Sequence, residues 1–144
     1  MSMPHRVAVA GASGRMGHTL IEAIRDAEDC VLTGALDLAS APALGQDAGS
    51  FLGQASGVNV TADLTAGLQN SAVLIDFTRP EGTLAHLNAC RVLGVNMVIG
   101  TTGFSDAQKA EIAAAAKSIA IVMAPNMSVG VNVTLKLLQM AAKA

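Results

Sequence analysis

Apolar residues in this chain gather into short continuous runs, separated by longer stretches in which they recur every three or four positions. Residues 6–10 form an apolar run that stops abruptly at Gly11. Over 14–27, Met16, Leu20, Ile21, Ala23 and Ile24 fall on one face of a 3.6-residue period. A second run, 31–36, ends at Asp37 and completes a βαβ unit, whose crossover should be right-handed. Residues 38–62 lose the period and are rich in Ala, Gly, Ser and Gln, which predicts a surface excursion with one short helical turn. The alternation resumes with a strand over 73–76, a helix over 80–93 that opens on Pro80, and a strand over 97–99. Ser105 and Gln108 have the spacing of a capping box at the head of a helix running to 117. A strand over 119–123 follows, and then a helix over 131–144 with Val131, Leu135 and Leu138 on one face. Strands alternating with helices predict an α/β fold, a Rossmann-like doubly wound parallel sheet forming a single domain, with its ligand at the carboxyl ends of the strands.

Composition narrows the function classes. With 51% hydrophobic and 14% charged residues, the chain of 144 residues has enough apolar surface to offset the entropy of ordering its backbone. A net charge of −2 and the lack of any Lys/Arg cluster give no field for a phosphate backbone, so nucleic acid is excluded as a partner. The apolar stretch 110–124 is interrupted by Glu111 and Lys117, which leaves nothing of membrane-spanning length, and the N-terminus runs directly into a strand. The expectation is a cytoplasmic protein. Cys30 and Cys90 stand sixty residues apart with no CxxC, and none of His5, His18 and His86 pairs with another His at i, i+4. The chain therefore offers no metal site, the cysteines read as buried free thiols, and the histidines receive no catalytic role.

The chemistry concentrates in Gly11-Ala12-Ser13-Gly14-Arg15-Met16-Gly17, a GxxGxxG turn between a strand and a helix. There a dinucleotide pyrophosphate would meet backbone N–H groups and the positive end of the helix. Gly11 permits the sharp turn, Gly14 the approach of phosphate, and Gly17 close packing of helix on strand. A glycine triplet alone is weak evidence, because tight strand-to-helix turns use glycine for steric reasons as well. Asp37 strengthens it: twenty residues after Gly17, at the end of the second strand, a carboxylate can accept both hydroxyls of an adenosine ribose. The alternative for Asp37 is an ordinary solvated strand-end carboxylate. His18 after Gly17 rules out a Walker A loop, and the chain has no tyrosine to serve a Tyr-x-x-x-Lys dehydrogenase.

Four segments carry a more specific pattern: the turn from Val7 to Gly17, Asp76 to Thr83 (opening Asp76-Phe77-Thr78-Arg79-Pro80), Val98 to Gly103 (ending Gly100-Thr101-Thr102-Gly103) and Ala124 to Asn132 (opening Ala124-Pro125-Asn126-Met127). Together they resemble the 4-hydroxy-tetrahydrodipicolinate reductase family, across nearly the whole chain, with 38–68 the least diagnostic part. The resemblance implies an NAD(P)H-dependent oxidoreductase of diaminopimelate and lysine biosynthesis, homo-oligomeric at full length, that reduces a cyclic imine dicarboxylate by hydride transfer from NADH or NADPH. It implies that residues 11–16 hold the pyrophosphate and Asp37 the adenosine ribose. Gly100, Thr101 and Thr102 would serve the nicotinamide side, and Ala124, Pro125, Asn126 and Met127 the edge of its pocket. Phe77, Thr78 and Arg79 would form the wall between. Read without the family, Gly100-Thr101-Thr102-Gly103 is also compatible with a plain turn into a capped helix.

Two departures from the family pattern follow. Leu38 stands where some relatives carry an arginine that clamps the 2′-phosphate of NADPH, so NADH is expected to bind at least as well as NADPH unless Arg15 compensates. The family's substrate domain, with its His-His-x-x-Lys motif and carboxylate grip, would begin about where this chain ends. Residues 1–128 read as the dinucleotide-binding domain and 129–144 as the start of a linker helix toward that absent domain. No catalytic residue is expected within the chain, which should bind cofactor without turnover and expose apolar surface along 131–140. The alternatives are a non-catalytic dinucleotide-binding or redox-sensing module, and half of an aldehyde or homoserine-type dehydrogenase. The latter is disfavoured by Asp76-Phe77-Thr78-Arg79-Pro80 and by the lack of any basic neighbour for Cys90.

Overall fold

The computed structural model describes residues 3–143. Six strands lie in one parallel sheet: β1 (His5–Ala10), β2 (Cys30–Leu36), β3 (Val60–Thr61), β4 (Val73–Asp76), β5 (Asn96–Ile99) and β6 (Ile121–Met123). Their spatial order is β3-β2-β1-β4-β5-β6, so the direction of winding reverses between β1 and β4. In such sheets the crevice at that reversal, outside the carboxyl ends of the strands, is where ligands bind. The central strands are nearly continuous apolar runs, as burial on both faces requires, and Val9, Ala8, Ala35, Leu36, Leu74 and Ile99 are sealed from solvent.

Helices α1 (Arg15–Asp26), α2 (Leu64–Leu68), α3 (Pro80–Leu93), α4 (Asp106–Ala115) and α5 (Val129–Ala141) complete the alternation. One side of the sheet packs Leu68, Leu87, Cys90, Phe104 and Ile112 around Leu74 and Met97. The other packs Ile21 and Ile24 of α1 with Ala48 and Val60 around Val7 and Val9. The capping box opens α4 as predicted, with Ser105 Oγ accepting from Gln108 N–H and the Gln108 side chain accepting from Ser105 N–H.

Several expectations need correction. On α1 the inward face is Gly17, Ile21 and Ile24; Met16 and Ala23 point outward because the helix packs closely enough for its glycine to take the contact position. The predicted last strand begins at Ile121, and the last helix begins at Val129. Cys30 is only half-buried, while Cys90 is buried as expected; both are free. The stretch 38–62 contains its helical turn, a 3-10 turn over Ser50–Leu52, but also β3, which pairs with β2 through only two residues. Asp47 organises this stretch: its carboxylate accepts from the N–H groups of Gly49, Ser56 and Gly57 and from Ser56 Oγ. Those hydrogen bonds, from Ser56 and Gly49 foremost, hold its carboxyl down at about 2.

Helix α5 is exposed along its length, with Val131 at 41% and Leu138 at 60% of full exposure. The predicted apolar surface over 131–140 is present, and nothing among the described residues covers it.

Candidate dinucleotide-binding cleft

β1 ends at the reversal of the sheet, and the chain turns there at Gly11 with φ +66°, a conformation that L side chains rarely adopt. The turn is tight: Gly14 N–H donates to Gly11 O at 2.9 Å, and Ala12 N–H donates to Leu36 O at 3.0 Å, tying it to the end of β2. A Cβ on Gly17 would stand 2.1 Å from Gly11 O, so only glycine lets α1 begin this close to the strand. The two glycines thus set where α1 starts and what its first turn faces.

Each of the other α-helices has either a side-chain cap or an acidic residue in its first turn, and α1 has neither. α2, α4 and α5 are capped by Asp63, Ser105 and Ser128, and α3 opens with Pro80 and Glu81. α1 has Gly14 at its cap, with no side-chain hydrogen bond and no acidic residue in the first turn. Its N-terminal N–H groups and the positive end of its dipole are left for an external anion.

Asp37, directly after β2, lies across the turn. Its Oδ2 accepts from the N–H of Ser13 at 2.8 Å and from Ser13 Oγ, and Oδ1 accepts from Leu38 N–H at 2.8 Å. Ser13 therefore aims the carboxylate over the glycine turn, while Leu38 is 72% exposed beside it. The cleft between these groups has a volume of about 810 Å³ and is walled on the far side by Phe77, Thr78, Arg79, Glu81, Gly82 and His86, with Gly11, Gly14, Arg15, Met16, Gly17, Asp37 and Leu38 on the near side. That is the size range of small-molecule and cofactor sites.

Of the predicted residues, Gly11, Gly14, Arg15, Met16, Asp37, Phe77, Thr78 and Arg79 line this one cleft. Ala12 is buried beneath it and Ser13 orients Asp37. Gly100 supports the wall from behind, since a Cβ there would stand 2.0 Å from the Phe77 ring. Thr101 is buried, and its Oγ1 accepts from Thr78 N–H at 3.0 Å, so it holds the wall rather than lining it. Thr102, Pro125, Asn126 and Met127 are exposed and Ala124 half-buried, on the β5 and β6 side, continuing the same rim without lining the cleft.

The sequence places Asp76 in a motif at the end of β4 and gives His86 no role; their pairing is visible only in the fold. Asp76 is fully buried at the end of β4, and His86 Nδ1 stands 2.7 Å from its Oδ2. Burial alone would raise the Asp76 carboxyl, but hydrogen bonds from His86 and Thr78 outweigh it and hold the carboxyl below its ordinary range. The available signal was positional: His86 follows Gly82 by one helical turn, on the face of α3 that looks toward the strand end. Cys90, one turn further on, has its thiol pushed up to about 12 by burial and then by Asp76, so it is no nucleophile. Among the described residues there is no cluster suited to a metal ion, and no helix is long and apolar enough to cross a membrane.

Residues 5–127 match the family model described as dihydrodipicolinate reductase, N-terminus. The chain belongs to that family. Relatives named 4-hydroxy-tetrahydrodipicolinate reductase include one from Herminiimonas arsenicoxydans, 64% identical over 96% of this chain and 52% of its own length. Another, from Cupriavidus pinatubonensis, is 66% identical over 95% of this chain and again 52% of its own length. Among solved structures, a dipicolinate-bound dihydrodipicolinate reductase from Paenisporosarcina sp. TG-14 superposes with a TM-score of 0.76 at 28% identity, over 97% of this chain and 54% of that one. The chain thus spans about half the length of the relatives it matches, and corresponds to the N-terminal, nucleotide-binding part of the reductase.

Proposed function

We propose that this chain is the cofactor-holding part of a pyridine-nucleotide-dependent reductase that acts, at full length, on a cyclic imine dicarboxylate in diaminopimelate and lysine biosynthesis. The observation that carries the reading is the pairing of an uncapped helix N-terminus with a carboxylate fixed across it by Ser13. One end suits a pyrophosphate and the other a ribose diol, and the family's relatives are named as reductases. Bound in this cleft, NADH or NADPH would supply hydride; the residues of the chain bind and orient it.

In this reading residues 11–16 hold the pyrophosphate, which the N–H groups of Arg15 and Met16 face, and Asp37 accepts from the ribose hydroxyls once a ligand displaces Ser13 Oγ. Phe77, Thr78 and Arg79 set the wall that directs the dinucleotide over the sheet. Gly100, Thr101, Thr102 and residues 124–127 place the nicotinamide along the β5 and β6 rim. The groups that protonate the imine and grip its carboxylates lie outside this chain, so residues 1–128 act as the cofactor domain and α5 leads toward the substrate domain.

Cofactor preference follows from charge. Asp37 repels a 2′-phosphate and the exposed Leu38 offers it no cation, which leaves Arg15, also exposed at the cleft, as the only basic group on the near side. Calorimetric titration with each cofactor is expected to show NADH binding at least as tightly as NADPH. NADPH tighter by about tenfold, roughly 1.4 kcal/mol, would contradict this assignment.

A further inference from the structure

Asp76 is fully buried, yet its two oxygens do separate work. Oδ1 accepts from Thr78 N–H at 2.9 Å and from Thr78 Oγ1 at 2.7 Å, which closes the turn that carries Phe77. Oδ2 lies 2.7 Å from Nδ1 of His86. A carboxylate only accepts, so in a hydrogen bond of this length to ionised Asp76 the donor is His86 Nδ1–H. The other ring nitrogen, Nε2, has no protein partner among the described residues and is not sealed from solvent.

The same arrangement reaches a third segment. Thr78 N–H is shared with Thr101 Oγ1 at 3.0 Å, and Thr83 Oγ1, buried on α3, donates to Thr101 Oγ1 at 2.9 Å. Gly100, just before Thr101, is pressed against the Phe77 ring. One carboxylate therefore joins the turn after β4, the turn after β5 and the second turn of α3, and among the described residues His86 is the only hydrogen-bond partner of its second oxygen.

We propose that His86 is a positioning residue of this cleft, acting through Asp76: its Nδ1–H holds the buried carboxylate in the orientation that fixes the Phe77-Thr78 and Gly100-Thr101 turns against a bound dinucleotide. The role rests on the reading of the cleft as a dinucleotide site. It differs from a ligand contact, which would use Nε2. A charge-assisted hydrogen bond to a buried carboxylate is strong, and its loss leaves Oδ2 without a hydrogen-bond partner among the described residues.

The two amide side chains separate the roles. Asparagine sets a nitrogen near the position of Nδ1 and nothing at Nε2; glutamine does the reverse. With NADH titrated into the 144-residue chain, His86→Asn is expected to stay within about threefold of the unsubstituted affinity, and His86→Gln to lose about tenfold or more. The imidazole ¹⁵N spectrum of the unsubstituted chain is expected to show a protonated Nδ1, which tests the arrangement even if a variant fails to fold. Retention by His86→Gln with loss by His86→Asn would overturn the proposal in favour of direct contact through Nε2. Unchanged binding in both variants, or a spectrum with bare Nδ1 and protonated Nε2, would overturn it as well. No NADH binding by the unsubstituted chain would instead overturn the cofactor reading itself.

Discussion

Single residues in this chain matter through where they put hydrogen bonds. Asp37 and Asp47 are both carboxylates in turns, but Asp47 is saturated by its own loop whereas Asp37 is held mainly by Ser13, a partner that a ligand hydroxyl can replace. The saturation of Asp47 has a pH consequence. Its folded value of about 2 lies below the ordinary 3.8, so the stability it contributes is complete above about pH 4 and is lost as pH falls toward 2. Denaturant midpoints measured at pH 5, 3 and 2 should therefore fall with acid, and Asp47→Asn should lower the midpoint at pH 5 while making the remaining fall shallower. A variant with the same acid dependence as the original chain would show that the loop does not depend on this carboxylate.

At the level of elements, the helices differ in what they contribute. α3 seals Leu87 completely, so Leu87→Ala should cost about 2–5 kcal/mol. α5 leaves Leu138 60% exposed, and Leu138→Lys should change stability by less than about 0.5 kcal/mol while reducing self-association, read by chemical denaturation and light scattering. A large loss from Leu138→Lys would mean that α5 is covered in solution. The elements legible in the sequence were those with a strong period or a strong stop: Gly11 ended β1, Pro80 and Ser105 opened helices, and Asp76 closed β4. β3 and α2 were not legible, because a strand of two residues and a helix of five have no room for a period and are held by contacts with β2 and α3. The pairing of Asp76 with His86 was not legible for a similar reason. Their partnership crosses from a strand end to the second turn of a helix, and only the fold makes them neighbours.

For the whole molecule, the reversal of winding between β1 and β4 decides where chemistry can occur, and the glycine turn, Asp37 and the Asp76-linked wall all meet there. The family match extends over residues 5–127, and the chain spans about half the length of its relatives, corresponding to their N-terminal, nucleotide-binding part. α5 and the β6 residues Val122 and Met123 carry exposed apolar side chains.

Binding of NADH with and without the Asp37 carboxylate is the most direct test of the cleft as a dinucleotide site. Calorimetric titration of the chain should show saturable binding at one site, and Asp37→Ala, with its fold verified by circular dichroism, should weaken that binding by about 1.5–3 kcal/mol, the loss of a charge-assisted contact. Equal affinity in the two proteins, or no saturable binding by the folded original chain, would contradict it.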